Sequence, residues 1–331
     1  MTNQTMRAVV ADEPGGPEVL HLKTVPIPQP GPGEVRIKVA YCGLNPMDAF
    51  GRGGVLTWMN LPWPFTPGIE HAGIVDAVGD GVEASLIGSR VHARNAWGGN
   101  ADYSISQAAN LLPMAEGLDW KVGSVYRGMT FTAWHCLHTA ARVRQGDVCV
   151  FHSAAGPVAI MLTQVAKDAG ATVIGLVGSA AKIDYARPFG ADHLVDYVAS
   201  DWVAEVMRIT DGHGADIIVD GNQGPDAPKN YEAAAANAKV IYIGATAGAP
   251  APDVPTFILI GKSIFVGGFN LPLLEAAGQD ASDEVIDKVR TGAWKIPIGE
   301  EVELEDVPEL HARFHRRELV GRVIIRVGGE L

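Results

Sequence analysis

The sequence predicts an α/β protein with two domains, one rich in β-strands and one built on a doubly wound parallel sheet. Residues 6 to about 120 hold short β-prone runs such as "EVRIKVAYC" and "AGIVDAV", separated by turn sequences such as "PQPGPGE". From about 121 to 265, continuous apolar runs such as "DVCVF" and "ADIIVDG" alternate with helical segments. Such strands are typical of a parallel sheet that helices cover on both faces.

The remaining segment, 266–331, returns to mixed structure. It contains the helix-like run "SDEVIDKVRTG" and closes on the β-prone run "GRVIIRV". The length of 331 residues also favours two domains, since one hydrophobic core rarely grows to that size.

Composition excludes several classes of function. Hydrophobic residues make up 47% of the chain and charged residues 19%, as in ordinary folded proteins. The net charge of −12 argues against a nucleic-acid or anionic-membrane surface, because phosphates are bound by clustered cations. Cys42, Cys136 and Cys149 are too few and too far apart for a disulfide framework or a four-thiolate zinc site. With no leader-like start and no apolar run near ~18 residues, we expect a soluble, cytoplasmic protein.

The stretch "FHSAAGPVAI", residues 151–160, has the strand–turn–helix order in which proteins bind a pyrophosphate. Gly156 occupies the place where a glycine lets the backbone approach the diphosphate, and Ala159 supplies the small side chain that helix–strand packing needs. Pro157 removes one N–H but suits the first turn of a helix. The turn alone is also compatible with a tight βα connection that binds nothing.

The next apolar strand ends in "GLVGSAAK", at the place where an NAD-binding domain carries Asp or Glu for the ribose hydroxyls, about 20 residues on. Here Gly178 and Ser179 stand in that place, and Lys182 follows within one helical turn. A hydroxyl and an ammonium group without a carboxylate suit a 2′-phosphate, which indicates NADPH. A lysine at a helix start is also a common solvated residue.

Six motifs occur in a familiar order: "MRAVVADEPGGPEVL", "VPIPQPGPGEVRIKVAYCGLNPMDAFGRGG", "PGIEHAGIVDAVGDGV", "GMTFTAW", "HSAAGPVA" and "LHARFHRRELVGRVIIRV". Over roughly residues 6 to 327 the chain resembles the medium-chain dehydrogenases/reductases, most of all their zinc-free quinone oxidoreductase (zeta-crystallin-like) branch. The resemblance implies a GroES-like catalytic domain from residues 1–120 and 266–331, and a Rossmann NADPH-binding domain from 121–265. It also implies a homodimer or tetramer joined through edge strands near "SIFVGGFN".

The same resemblance argues against a metal. Zinc-dependent relatives hold catalytic zinc at three positions, where this chain has Asn45, Ile69 and about Gly128, and an apolar side chain cannot bind zinc. Two other groups have metal-like spacing: His311 with His315, and His135, Cys136 and His138 in "WHCLH". Neither has an obvious carboxylate partner in the sequence, so we interpret both as structural or surface groups.

Without a metal to polarise a ketone, hydride transfer needs an acceptor activated by conjugation, such as a quinone or an α,β-unsaturated carbonyl. The resemblance places Asn45 beside the nicotinamide, although Asn next to Pro46 also caps its own backbone. Phe50 stands where many quinone reductases have tyrosine, so the proton must come from water, the ribose, or a residue such as Tyr41 or Tyr126.

Aromatic residues form the expected substrate wall: Trp58, Trp63, Phe65, Trp97 and Phe269. Some of them could instead only fill the protein interior. Asp48 and Arg52 could form a structural ion pair or touch the substrate. The resemblance assigns NADPH to Asn45, Thr132, Ala155, Gly156, Pro157, Val158, Gly178, Ser179, Lys182, Tyr197, Asn222, Gly244, Ala245 and Phe269.

Two other functions stay open at this point. One is an enoyl-thioester or 2-alkenal reductase of the same superfamily, which would need a cationic track for the carrier's phosphate. The other is a cofactor-binding protein with little catalysis, since function is not dictated by the fold.

Overall fold

A computed structural model describes residues 4–93, 96–247, 254–277 and 280–331 of the chain. Its strands are β1 Thr5–Ala11, β2 Leu20–Pro26, β3 Glu34–Gly43, β4 His71–Val78, β5 Arg90–Ala93, β6 Tyr103–Gln107, β7 Leu111–Pro113, β8 Val148–Phe151, β9 Thr172–Val177, β10 His193–Asp196, β11 Ala215–Asp220, β12 Ala234–Tyr242, β13 Phe265–Gly268, β14 Ile298–Glu303 and β15 Arg322–Arg326. Its α-helices are α1 Pro46–Arg52, α2 Trp120–Trp134, α3 Pro157–Asp168, α4 Ala180–Ala186, α5 Trp202–Ile209, α6 Lys229–Ala233, α7 Thr256–Lys262, α8 Leu271–Ala277, α9 Ser282–Arg290 and α10 Val307–His315. Within the described ranges, no helix combines the length and the apolar character needed to cross a membrane.

The chain forms two compact units, Met1–Gly128 with Ile298–Leu331, and Met129–Pro297. These limits differ from the boundaries near 120 and 265 that the sequence suggested. Segment 266–297 lies in the second unit because β13 extends the sheet of that unit beyond β12. Two bonds to α3 also hold it there, from Trp294 Nε1 to Asp168 at 2.9 Å and from the Lys295 N–H to Gln164 at 2.7 Å.

The first unit is β-rich, as predicted. Its main sheet runs in the order β14-β15-β3-β4-β5-β7, with β6 also paired to β3, and β1 and β2 form a separate antiparallel ladder. In the first half of β3, Val35 and Ile37 are fully buried while Arg36 and Lys38 are not. This alternation is typical of an antiparallel strand with one face on the core.

The second unit contains the predicted parallel sheet, in the order β10-β9-β8-β11-β12-β13, with every neighbouring pair parallel. Helices α3 to α7 pack against its strands. From β8 the sheet grows to one side through β9 and β10, and then to the other side through β11, β12 and β13. This is the Rossmann order, with its switch point between β8 and β11. Ligands of such sheets bind outside the carboxyl ends of the strands at that switch point.

Candidate functional site

The turn after β8 has the compact geometry expected of a phosphate-binding turn. Ser153 takes a left-handed φ of 55°, and Gly156 is the N-cap of α3 with φ −85° and ψ 155°. The Gly156 N–H donates to the Ser153 carbonyl oxygen at 2.7 Å, and a Cβ atom at Gly156 would lie 3.0 Å from the same oxygen. Pro157 opens α3, where its missing N–H breaks no helical bond. Ala155 beside it is buried and Val158 half-buried.

Small residues bring the first turn of α3 close to the sheet. Ala154 and Ala159 are both buried. A Cβ atom at Gly175 of β9 would lie only 2.7 Å from the Cβ of Ala154, so the strand next to the turn has no room for a larger side chain. The missing side chain at Gly175 thus leaves the room that the Ala154 side chain occupies.

The turns after β8, β11 and β12 meet at Asn222. The hydroxyls of Ser153 and Thr246 each donate to Asn222 Oδ1 at 2.9 Å. The predicted residues Gly244 and Ala245 precede Thr246, and a Cβ atom at Gly244 would lie 3.1 Å from the Gly221 carbonyl oxygen. The sequence analysis missed Ser153 and Thr246. Their only signal is a hydroxyl just beyond an apolar strand, which is too common to be selective.

Near the carboxyl end of β9 lie four predicted cofactor residues, Gly178, Ser179, Lys182 and Tyr197. Ser179 is the N-cap of α4 and its carbonyl accepts from the Lys182 N–H at 3.1 Å. Tyr197, which follows β10, donates its N–H to Val177 at 3.0 Å. A Cβ atom at Gly178 would lie 2.9 Å from the Tyr197 hydroxyl oxygen, so glycine is what admits that hydroxyl. Lys182 lies half-buried on the first turn of α4.

The other two predicted cofactor residues of the second unit lie on separate elements. Thr132 is half-buried on α2. Phe269 directly follows β13, is half-buried, and donates its N–H to the Tyr242 carbonyl at 2.9 Å. Their roles stay predictions.

In the first unit, Asn45 caps α1. Its Oδ1 accepts from the Met47 N–H at 3.1 Å, and its own N–H donates to Asp48 Oδ2 at 2.8 Å. This reciprocal arrangement is a capping box. Asn45 therefore caps the backbone of its own helix through its amide oxygen. Its amide NH₂ group can still donate to a ligand.

At the three positions that the resemblance compares with zinc ligands, the backbone N–H groups donate to buried carboxylates, those of Asn45 and Ile69 to Asp48 and that of Gly128 to Glu70. Asp48, which caps with Asn45, also accepts from the Ile69 N–H at 3.0 Å. Glu70 accepts from the Gly128 N–H at 2.7 Å and from the guanidinium of Arg322. Burial raises the pKa of Asp48, and the backbone N–H groups that it accepts oppose this rise. Among the described residues, no three His, Cys, Asp or Glu side chains are grouped to hold a metal ion.

Arg52 does not pair with Asp48, contrary to one interpretation of the sequence. Its Nε donates to the Gly15 carbonyl at 3.1 Å, and its guanidinium lies 3.1 Å from His311 Nδ1 and 2.7 Å from His315 Nε2. The helical spacing of His311 and His315 thus serves contact with a buried cation. Burial lowers the pKa of Arg52 and lowers that of His311 to about 3.

The second group with metal-like spacing follows α2. His135, Cys136 and His138 lie in a π-helical segment, His135–Ala141. His135 Nδ1 lies 3.0 Å from the Thr139 hydroxyl, and the His138 ring packs 4.8 Å from that of Trp134. Burial raises the pKa of the Cys136 thiol, which favours its protonated form.

The tyrosines considered as proton donors are weak acids. Phe50, which has no acidic group, is half-buried on α1. Tyr126 is buried on α2, with its ring 6.1 Å from that of His92, and burial raises the pKa of its phenol. Burial, followed by the charge of Glu301, also raises the pKa of Tyr41. A raised pKa keeps a phenol protonated and disfavours proton release.

Three of the predicted wall residues form an aromatic row. The ring centroids of Trp63 and Phe65 are 5.7 Å apart, and those of Phe65 and Trp97 are 5.0 Å apart. Phe65 is only 2% exposed and therefore belongs to the interior, whereas Trp58 is 76% exposed. Trp63 lines a cavity of about 310 Å³ together with Gly51, Gly54, Leu56, Thr57, Asn60 and Leu61.

Two family models match the chain over separate ranges. Residues 31–143 match the alcohol dehydrogenase GroES-like domain, and residues 157–289 match the zinc-binding dehydrogenase domain. A quinone oxidoreductase from Sus scrofa is 31% identical over 241 residues, covering 72% of this chain and 73% of that protein.

Solved structures agree with these matches. A quinone oxidoreductase from Pseudomonas syringae is 28% identical with a TM-score of 0.88, covering 97% of this chain and 99% of the other. A mycobacterial protein solved in complex with NADPH is 28% identical with a TM-score of 0.87 and the same coverage.

The fold and the matched domains define a two-domain dehydrogenase/reductase. The chain belongs to the quinone oxidoreductase branch of the medium-chain dehydrogenase/reductase superfamily. The name of the second domain model refers to zinc, yet the three ligand positions here hold Asn45, Ile69 and Gly128.

Proposed function

We propose that this protein is an NADPH-dependent oxidoreductase that reduces quinones or α,β-unsaturated carbonyl compounds without a metal. The observation that carries the proposal is the pair of adjacent strand ends in the second unit. The end of β8 presents the Gly156 turn, and the end of β9 presents Gly178 and Ser179, neither of which is a carboxylate, beside Tyr197.

The Gly156 turn fits a diphosphate. Its backbone is tight enough that a Cβ atom would approach the Ser153 carbonyl oxygen to 3.0 Å, so the site favours glycine and leaves its surface open to a ligand. The 12-residue helix α3 begins directly after it, and a helix N-terminus attracts negative charge.

The group at the end of β9 fits a 2′-phosphate. The hydroxyls of Ser179 and Tyr197 can donate to phosphate oxygens, and the ammonium of Lys182 supplies positive charge. An Asp or Glu at position 178 would displace the Tyr197 hydroxyl and repel the phosphate. The affinity for NADPH should therefore exceed that for NADH.

Lysine 182 provides the test of this preference. One charge-assisted contact contributes ~1.5–3 kcal/mol, so Lys182→Ala should weaken NADPH binding by about tenfold or more and leave NADH binding unchanged. Lys229→Ala removes a lysine of the same unit that pairs with Asp226, and serves as the control. Equal losses of both nucleotides in Lys182→Ala, measured by titration calorimetry, would refute the assignment.

In this proposal the cofactor supplies a hydride and the protein orients the acceptor. The amide NH₂ group of Asn45 donates a hydrogen bond to the carbonyl oxygen on which negative charge develops. Trp58, Trp63 and Trp97 are the apolar side chains proposed to contact the acceptor. No acid stands at Phe50, so the proton reaches the reduced product from solvent.

Steady-state oxidation of NADPH tests the reaction itself. We expect turnover with 9,10-phenanthrenequinone and slower turnover with simple enals. A faster reaction with crotonyl-CoA would favour an enoyl-thioester reductase instead. NADPH binding without turnover of quinones, enals, aryl enones or crotonyl-CoA would indicate a cofactor-binding protein with little catalysis.

We also propose a homodimer formed through the second unit. Strand β13 ends the described sheet, and its residues Phe265 and Val266 are 65% and 38% exposed. Phe257 and Ile260 of the preceding helix α7 are 89% and 77% exposed. An open apolar edge is suited to pairing with a second copy.

Light scattering coupled to gel filtration should give twice the chain mass of 35.0 kDa. Val266→Lys places a charge on the pairing edge and should shift the protein to the monomer. A monomeric wild-type protein would contradict the proposal.

A further inference from the structure

Three hydrogen-bonded polar side chains, those of Asp220, Asn230 and His152, support the turn that carries Asn222. Asp220, the last residue of β11, is 1% exposed, and its Oδ1 accepts from the N–H groups of Asn222 at 2.7 Å and Gln223 at 3.0 Å. Its Oδ2 accepts from Asn230 Nδ2 at 2.9 Å. Asn230 is fully buried, and its Oδ1 lies 2.7 Å from His152 Nε2.

The chemistry of these contacts sets the direction of every bond. The carboxylate of Asp220 only accepts, so the amide NH₂ group of Asn230 must face it. The amide oxygen of Asn230 then faces His152, and the Nε2 of that imidazole must carry a proton. The His152 ring is held edge-on against Trp202, with 5.4 Å between centroids and an interplanar angle of 83°.

The turn that contains Asn222 and Gln223 has a conformation that needs support from hydrogen bonds. Gln223 has a left-handed φ of 55°, which is costly for a residue with a side chain. The Asp220 carboxylate binds the N–H of Gln223, and the Gln223 side chain binds the Gly244 carbonyl at 3.0 Å. Because Asn222 Oδ1 accepts from two hydroxyls, its amide NH₂ group is directed away from them and can donate to a ligand.

We infer that Asp220, Asn230 and His152 form a positioning network that orients Asn222 for the nicotinamide half of the cofactor. The inference rests on the proposed function. In the Rossmann order the strand after the first βα turn serves the adenosine half, and the other half of the sheet serves the second nucleotide. The network supports the ends of β8, β11 and β12, and makes no bond to Gly178, Ser179 or Tyr197.

The experiment compares the whole cofactor with one of its halves. Dissociation constants for NADPH and for adenosine 2′,5′-bisphosphate are measured by calorimetry on the full-length protein, with the melting temperature recorded for each variant. Asn230→Leu removes the bonds of Asn230 to Asp220 and His152 at similar volume, together with its bond to Tyr242. We expect about tenfold weaker NADPH binding, since a buried acceptor loses its partner. Binding of adenosine 2′,5′-bisphosphate should change by less than about twofold, because that ligand reaches only the adenosine end.

His152 provides variants that spare the carboxylate. His152→Leu cannot donate to Asn230 and should weaken NADPH binding several-fold, whereas His152→Gln can donate and should restore it. Equal losses for both ligands, no loss in any variant, or a His152→Gln protein as weak as His152→Leu would overturn the inference. If Asn230→Leu does not fold, the two His152 variants decide.

These outcomes are separate from those of the proposed function. A wild-type protein that binds neither ligand contradicts NADPH dependence, whatever the variants do. A wild-type protein that binds both, with variants that lose them equally, contradicts only the positioning network.

Discussion

Removing the charge of Glu70 should destabilise the first unit strongly. The side chains of Glu70 and Arg322 are 6% and 4% exposed and form an ion pair within the unit. Burial lowers the pKa of Arg322 to about 10, so its guanidinium remains charged at neutral pH. In Glu70→Gln the amide oxygen can still accept from the Gly128 N–H. The change therefore isolates the loss of the carboxylate charge opposite a buried cation.

The expected magnitude follows from the burial. Breaking a desolvated ion pair by removing one partner costs ~3–5 kcal/mol, because the other charge is left uncompensated. The nearby Asp48, whose charge also favours the charged form of Arg322, offsets part of this cost. For a unit of about 160 residues, each kcal/mol corresponds to roughly 2–4 °C, so the melting temperature should fall by roughly 6–20 °C.

Urea denaturation followed by circular dichroism measures the change. The double variant Glu70→Gln/Arg322→Met removes both charges and should recover most of the loss. Glu305→Gln removes one partner of an exposed pair with Arg7, whose side chains are 48% and 44% exposed, and should cost at most ~1 kcal/mol. A Glu70→Gln cost as small as that of Glu305→Gln, or a double variant no more stable than the single one, would refute the reasoning.

Three further predictions concern acid, metal and the missing phenol. Burial lowers the pKa of His71 to about 4 and of His311 to about 3, below the unfolded value near 6.5. The stability due to these neutral imidazoles should therefore be complete above pH ~6.5. Below that pH the free energy of unfolding should fall by up to ~1.4 kcal/mol per pH unit for each histidine. A protein that urea denaturation shows to be as stable at pH 5 as at pH 7 would contradict this. Activity should survive EDTA, since Asn45 and Ile69 cannot replace zinc ligands, and stoichiometric zinc lost together with turnover would overturn this expectation. Phe50→Tyr should improve the reduction of enals selectively, by up to ~10²-fold, because general acid catalysis helps basic enolates more than hydroquinone anions. A wild-type enzyme that reduces 2-hexenal as fast as 9,10-phenanthrenequinone would show that another acid already acts.

Local patterns were sufficient for the fold class and for one part of the candidate site. The apolar runs and turn residues predicted the parallel sheet and the β-rich unit, because strand burial and turn chemistry act over a few neighbouring residues. The βα turn at Gly156 was also predicted, since its requirements lie within ten consecutive residues. The missing acid at Gly178 and Ser179 could likewise be located by counting along the chain.

Contacts between distant residues were decided only by the tertiary structure. The sequence alone left two alternatives open for Asp48 and Arg52, four positions apart on α1: a structural ion pair or contact with the substrate. In the folded chain Arg52 instead meets His311, 259 residues away. The convergence of Ser153 and Thr246 on Asn222 has the same origin. Which polar groups become neighbours depends on how strands order in a sheet, and burial then makes each unpaired group costly, whereas periodicity reports only which face of an element is buried.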